Sequence, residues 1–568
     1  MNTAIYYHPE AYTTSGPKLM GRNAAGESFL RGFIQYSQST EFWVQVQNKE
    51  HAEHFANTVR ALGRDEPVKM VDLSSLSALN EVGNIYYPGP GIAEHAFHRA
   101  LTGASTNDRA PHTAWSLSGI THTTAAARPM DALVNLLTAP VQAWDSVICT
   151  SHAVKKNVEK LLQAQANYLV ERLGIQKLVL PQLPVIPLGI HTKDFEYSEA
   201  QKIAARNSIS VNPDDVVVLF MGRLSFHAKA HPLAMYLSLE RASQESGKNV
   251  ILIECGWYAN DHIANAYQQA AKLACPSVRV VTLDGRISEE RAKAWAAADL
   301  FCSLSDNIQE TFGIVPIEAM AAGLPVVVSD WDGYKDTVRD GIDGFRVPTL
   351  MPPPGMATDL AMKHALEIET YDMYCGHTSS LVSVDIEAAT EAFSNLFKND
   401  QLRKQMGDAG KLRAKELYDW SAIIPQYEEL WSNQKELRHK EIHSNQSTAS
   451  QNNTRQPLTH PWPARMDPFD AFSSYPTSAL SATTTISLAD HLTPETAWEI
   501  VRIYSNLAMV SYAKKILPSE EEVKLVLLAA VTPDNALAMV KAIQPERQAF
   551  VFRSLAWLLK LGVLKVIK

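Results

Sequence analysis

Runs of Val, Ile and Leu with few polar interruptions recur through the first three quarters of the chain, each followed by a stretch whose apolar positions fall at helical spacing. Uninterrupted apolar runs predict strands buried on both faces, and their alternation with helices predicts parallel sheets covered on each side. The runs form two sets. The first holds residues 3–8, T-E-F-W-V-Q-V (40–46), P-V-K-M-V-D-L (67–73), H-T-A-W-S-L-S (112–118) and D-S-V-I-C-T (145–150). The second follows P-V-I-P-L-G-I (184–190) and holds D-V-V-V-L-F-M-G (215–222), N-V-I-L-I-E-C-G (249–256), V-R-V-V-T-L-D-G (278–285), D-L-F-C-S-L-S (299–305) and L-P-V-V-V-S-D (324–330). This predicts two doubly wound, Rossmann-like domains, 1–187 and 188–436, with the last helices packing back on the first. Ligands of such sheets bind beyond the carboxyl ends of the strands, so a cleft with loops from both domains is expected.

From 437 to 486 the composition turns to Ser, Thr, Asn, Gln and Pro, which predicts a flexible linker. Beyond it Thr493-Pro494, Ser519 and Thr532-Pro533 read as helix N-caps, making 487–568 a small helical domain. Apolar residues are 46% and charged residues 20% of the chain, and no run approaches the length of a membrane span, as in folded soluble proteins. Residues 1–8 read as a strand rather than a signal segment. The five cysteines (149, 255, 275, 302, 375) are odd in number, scattered and set in apolar runs, which suits reduced thiols and a cytoplasmic location. A net charge of -9 argues against nucleic acid as a partner. The amphipathic end around Trp557 leaves peripheral membrane contact open, and oligomeric state is equally open.

The chemistry concentrates in Q-E-T-F-G-I-V-P-I-E-A-M-A-A-G-L-P-V-V (309–327). Glu310 precedes a helix, and Thr311, Phe312 and Gly313 offer backbone N–H groups where the helix dipole favours anions and sugar oxygens. Gly313 permits close approach of the backbone. Glu318, eight residues after Glu310, lies on the helix, where a carboxylate suits a ribose diol. The strand at 215–222 ends in M-G-R-L-S-F-H-A-K, setting Arg223 and Lys229 in a loop that faces the cleft, two cations fitted to a leaving diphosphate.

Together with V-V-S-D-W-D-G-Y-K-D-T-V-R-D-G-I-D-G-F-R-V-P, the 309–327 segment resembles the E-x7-E signature and flanking strand of the retaining GT-B glycosyltransferases, which include bacterial mannosyltransferases and sucrose synthase. The resemblance covers roughly 184–348, weakens in the first domain and ends at about 435. It implies a GT-B fold and a metal-independent, retaining transfer of a sugar from a nucleotide diphosphate sugar, UDP favoured, to a hydroxyl of a saccharide or other glycan. No cofactor is implied besides the nucleotide sugar as co-substrate. Arg223, Lys229, Glu310 and His122, the last in S-L-S-G-I-T-H-T-T (116–124), are implied as catalytic. Glu318, Thr311, Phe312, Gly313, Ile314, Gly222, Gly21 in the loop 16–32, Arg286 and Ile287 are implied as donor-binding. One departure is Ala230, where relatives carry Gly. Asp330-Trp331-Asp332 matches a D-x-D metal signature, but it follows the E-x7-E helix and strand and is expected to bind no metal. The rival readings are a GT-B epimerase or phosphorylase, and a catalytically silent sugar-binding scaffold acting through 487–568.

Overall fold

The computed structural model describes residues 2–12, 21–103, 111–448 and 461–567. Contacts divide it into two compact units, Met1–Trp462 and Pro463–Lys568. The first contains two six-stranded parallel sheets, the GT-B pattern of two Rossmann-like lobes. In the first lobe β1 (Ala4–Tyr6), β2 (Phe42–Val46), β3 (Val68–Asp72), β4 (Asn84–Tyr86), β5 (Ser116–Ile120) and β6 (Ser146–Ile148) lie in the order β3-β2-β1-β4-β5-β6. In the second β7 (Val216–Met221), β8 (Val250–Gly256), β9 (Arg279–Asp284), β10 (Leu300–Ser303), β11 (Val326–Ser329) and β12 (Gly344–Val347) lie in the order β12-β11-β10-β7-β8-β9. A small antiparallel pair, β13 (Thr349–Leu350) and β14 (Ser383–Val384), adjoins the second sheet in sequence.

The two-residue period of a strand explains how one apolar run serves two cores. Along β7, Val216, Val218 and Phe220 enter one buried cluster, while Val217, Leu219 and Met221 enter the cluster on the opposite face. β8 divides likewise, Val250 and Leu252 against Ile251, Ile253 and Cys255. All five cysteines are buried free thiols.

Three elements differ from the sequence expectations. β4 lies outside every apolar run, because Asn84 begins it; the buried Asn84 Nδ2 donates to the Trp431 carbonyl at 2.9 Å, a contact 347 residues away in sequence. β12 is a short edge strand that only the neighbouring β11 reveals. The strand expected at 112–118 forms at 116–120, since 111–113 close into a 3-10 turn.

The helix Trp420–Thr448 returns from the second lobe to the first and continues past residue 436. The Trp420 ring lies over Gly32 and Gly189, where an added Cβ would stand 2.5 and 2.6 Å from it, and its Nε1 donates to Ser28 Oγ at 2.8 Å. Further along, Gln434 bridges β5 and β6 by accepting from Ser118 Oγ and donating to Leu117 O and Ser146 Oγ, while Arg438 donates to the carbonyls of Gly83 and Ala114. Buried hydrogen bonds across such long sequence separations hold the lobe and helix in one register.

The second unit adds to its helices a three-stranded antiparallel sheet, β15 (Thr485–Leu488) between β16 (Asp534–Asn535) and β17 (Leu564–Val566). Thr493 and Ser519 cap the helices Pro494–Tyr504 and Glu520–Ala529 through capping boxes. Thr532-Pro533 leads into β16 instead of a helix. Trp557 packs against this unit's core with Val551, Leu555 and Leu558. No helix among the described residues is long and apolar enough to cross a membrane.

Because Trp420 fills the space left by two glycines, Trp420→Ala should destabilise the first unit by about 3–5 kcal/mol, measured by urea unfolding. A cost below about 1 kcal/mol would show that the return helix is not anchored there.

Candidate functional site

The carboxyl ends of the two sheets meet. Thr311, beyond β10, donates from Oγ1 to the carbonyl of His122, beyond β5, at 2.5 Å. The Thr311 carbonyl accepts from Ser151 Oγ at 2.9 Å and from Thr150 Oγ1 at 3.4 Å, both beyond β6. Ser151 also caps the helix His152–Leu173, accepting from Val154 N–H at 3.1 Å, and the His152 amide donates to Asp336 at 2.7 Å. Strand ends from both lobes thus enclose the turn 310–313, where open α/β sheets bind ligands.

That turn is shaped by Gly313, whose φ of +81° lies in the left-handed region and whose absent Cβ leaves room for Tyr334; a Cβ would stand 1.9 Å from the Tyr334 ring. Tyr334 OH in turn bonds Ser303 Oγ at 2.9 Å. Gly313 is the N-cap of the helix Ile314–Ala321, and the amides of Gly313 and Ile314 have no hydrogen-bond acceptor among the described residues. They are the free donors that a helix start presents.

Opposite the turn stands the loop after β7. Gly222 ends the strand with φ +148°. Arg223 Nη2 donates to Ala228 O at 2.7 Å and to Gln309 Oε1 at 3.1 Å, which closes the loop on itself and ties it to the residue before Glu310. Asn307 Nδ2 donates to His227 O at 3.1 Å and the His231 amide to Asp306 at 3.2 Å, completing the attachment. This brings Lys229 Nζ to 2.5 Å from Glu310 Oε2.

The environment sorts the nearby carboxyls into different protonation states. Burial pushes Glu310 up, but the Lys229 ammonium, joined by the amides of Thr311 and Phe312, outweighs it and holds Glu310 below the usual carboxylate range. The Glu318 side chain has no hydrogen-bond partner among the described residues; burial pushes it up to about 7 against the pull of Arg291 and Lys229. Arg291, on the helix Ser288–Ala297, donates to Gly285 O at 2.8 Å and is the cation nearest in influence to Glu318. Sequence reasoning missed it, since no motif marks a helix position that only folding sets beside Glu318. Ser151 and Gln309 were missed for the same reason.

Residues 215–363 match the family model described as glycosyl transferases group 1. The matched residues lie in the second lobe. Curated relatives of the chain include a D-inositol 3-phosphate glycosyltransferase of Nocardia farcinica, 29% identical over 186 residues, which are 32% of this chain and 39% of that protein. A phosphatidyl-myo-inositol mannosyltransferase of Mycobacterium leprae is 34% identical over 137 residues, 24% of this chain and 27% of its own. The chain therefore spans well under half the length of these relatives. Among solved structures, Anabaena HepE in complex with UDP and glucose is similar with a TM-score of 0.47 and 16% identity, covering 76% of this chain and 100% of that one.

Within the second lobe, Arg223, Lys229, Glu310 and the 311–314 turn come together, with Glu318 one helical stretch further on. Arg286 and Ile287 follow β9: the Arg286 side chain folds back on Asp284 with Nη2 at 2.7 Å, and the Ile287 amide donates to Asp284 O at 3.0 Å. Ile287 is half exposed, so the apolar side chain stays available at the strand end. Gly21 begins the helix Gly21–Tyr36, while residues 13–20 ahead of it lie outside the described residues. The two carboxylates of the D-x-D string turn to different partners, Asp330 to Arg346 at 3.4 Å and Asp332 to Ser151 Oγ at 3.3 Å.

Glu318 generates a pH signature. Between its ordinary 4.5 and about 7 the unfolded chain has released this proton while the folded chain retains it, so stability is present below that window and falls as pH rises through it. Glu318→Gln, which does not titrate, should lose this component of the slope in urea titrations run across the window. Parallel profiles for the two proteins would remove the buried-carboxyl assignment.

Proposed function

We propose that this chain is a glycosyltransferase that moves a sugar from a nucleotide diphosphate sugar, UDP favoured, to a hydroxyl of a saccharide or other glycan acceptor, with retention of anomeric configuration and without an obligatory metal. The observation that carries the reading is the Lys229–Glu310 pair at 2.5 Å, set at the amide-rich tip of the helix Ile314–Ala321, with the adjoining Thr311 bonded to His122 and Ser151 of the opposite lobe. The group 1 pattern of residues 215–363 and its relatives, an inositol phosphate glycosyltransferase and a mannosyltransferase, support the class of reaction.

In the proposed reaction the bond from the anomeric carbon to the diphosphate oxygen breaks and a bond from that carbon to the acceptor oxygen forms on the same face. The acceptor's proton passes to the departing phosphate oxygen, so no protein nucleophile takes part. The negative charge that grows on the diphosphate is met by Lys229 and Arg223, and such preorganised charge is often the largest catalytic term. An ammonium has three donors, so Lys229 keeps one on Glu310 while offering others to phosphate. Glu310, ionised by that pairing, accepts from sugar hydroxyls; the free amides of Gly313 and Ile314 attract phosphate or sugar oxygens. Glu318 grips the ribose diol, and the turn at Arg286 and Ile287 borders the base. His122 lines the reacting side from the first lobe.

Lys229→Ala should lower turnover of the preferred nucleotide sugar by about 10²–10³-fold. The measurement is release of nucleotide from a panel of UDP-glucose, UDP-N-acetylglucosamine and GDP-mannose, with and without saccharide acceptors, well below the variant's unfolding temperature. Unchanged turnover in a folded variant contradicts the assignment of Lys229. A product of inverted anomeric configuration, read from its proton NMR coupling, contradicts the same-face step.

A further inference from the structure

Asp332 combines three features that protein packing alone does not account for. Its φ is +43°, a left-handed conformation that a residue with a Cβ holds at a cost in free energy. The other described non-glycine residues with positive φ, Ser210 and Glu367, sit in exposed turns just after helices, whereas Asp332 is recessed. Its Oδ2 is sealed from solvent and has no hydrogen-bond partner. Its Oδ1 has a weak claim on Ser151, whose Oγ lies 3.3 Å from Asp332 Oδ1 but 2.9 Å from the Thr311 carbonyl oxygen, the closer acceptor. A buried carboxyl left this poorly satisfied destabilises the empty protein.

Its location explains what would complete it. Gly333 packs directly on the 310–313 turn, so closely that a Cβ there would stand 2.5 Å from Phe312 Cα and 2.4 Å from its carbonyl oxygen. Asp332 therefore borders the turn that carries Glu310. We propose that Asp332 is a specificity-determining residue for the transferred sugar, its carboxyl giving a hydrogen bond to a sugar hydroxyl in the pocket that also contains Glu310. This rests on reading the site as one for a nucleotide sugar.

The two carboxyls are complementary to a hydroxyl, which both gives and takes a hydrogen bond. Glu310, ionised beside Lys229, accepts. Burial first, and then the Glu310 charge, push Asp332 up to about 8, so near neutral pH it carries the proton with which it donates. The other charged and titratable groups around it are Asp336 and Tyr334 on its own segment, Lys229 through its bond to Glu310, and His152 of the first lobe, whose Nδ1 lies 3.3 Å from Asp336.

The test is calorimetric titration of the full chain, as wild type, Asp332→Gly and Asp332→Asn, with UDP, UDP-glucose, GDP and GDP-mannose. Asp332→Gly should weaken binding of whichever nucleotide sugar the wild type prefers by about tenfold while moving the free nucleotide by less than about twofold. The unfolding midpoint of the ligand-free Asp332→Gly protein should rise, because the strain and the unpartnered oxygen are both removed. Raising the pH above about 8 ionises Asp332 beside Glu310, so wild-type affinity for the nucleotide sugar should fall there. Asp332→Asn, whose amide still donates, should keep its affinity and show no such fall. Asp332→Gly binding the nucleotide sugar as tightly as wild type overturns the proposal, as does an alkaline loss shared equally by Asp332→Asn. A wild type that binds free nucleotide and nucleotide sugar equally also overturns it while leaving the nucleotide site intact. A wild type that binds none of the four ligands overturns the donor-site reading itself.

Discussion

A carboxylate at a helix tip, nearly removed from water, is held ionised by one ammonium. Without Lys229, burial would push the Glu310 carboxyl toward its neutral form; with it, the carboxylate remains an acceptor and the ammonium stays localised in the site. The rest of the second lobe's cleft face works to keep these two groups together. Arg223 closes the Lys229 loop and reaches Gln309; Asn307 and Asp306 bind the same loop at His227 and His231. Gly313 turns the chain sharply enough for the helix to begin directly after Glu310, and Tyr334 fills the space a side chain there would occupy.

The pair is also a matter between lobes. The Thr311 hydroxyl and carbonyl are engaged by His122 and Ser151, so the turn adjoining Glu310 cannot be separated from the first lobe without breaking those bonds. The long helix Trp420–Thr448 works at a distance from the chemistry, carrying the chain back so that Trp420, Gln434 and Arg438 seat the first lobe's strands. Strand ends, whose positions are inherited from two rigid sheets, then deliver loops to a common place.

Within this small region three carboxyls are driven apart in acidity by their surroundings: Glu310 downward by a cation, Glu318 upward by burial, Asp332 upward by burial and by Glu310 itself. A site that contains both ionised and protonated carboxyls can give and receive hydrogen bonds at neutral pH.

The apolar runs were enough to announce two parallel sheets, because a strand buried on both faces needs apolar residues at every position; β7, β8, β10 and β11 fall where those runs lie. The positions of Arg223, Lys229, Glu310 and Gly313 were legible too, since a loop after a strand and the turn before a helix are local features. β4 was not legible, because its polar first residue is tolerated only by a carbonyl on a helix far along the chain. Arg291 and Ser151 were silent for the same reason: an arginine on a helix and a serine at a cap look ordinary until folding sets them beside Glu318 and Thr311. Asp332 stood out only as part of a D-x-D string, and its place beside the Glu310 turn came from the fold. Sequence determined which local structures and charges this protein possesses, because hydrogen bonding and burial along a segment depend on neighbours in the chain. Only tertiary structure decided which carboxyls are charged and which lobe touches the helix tip, because protonation and contact depend on neighbours in space.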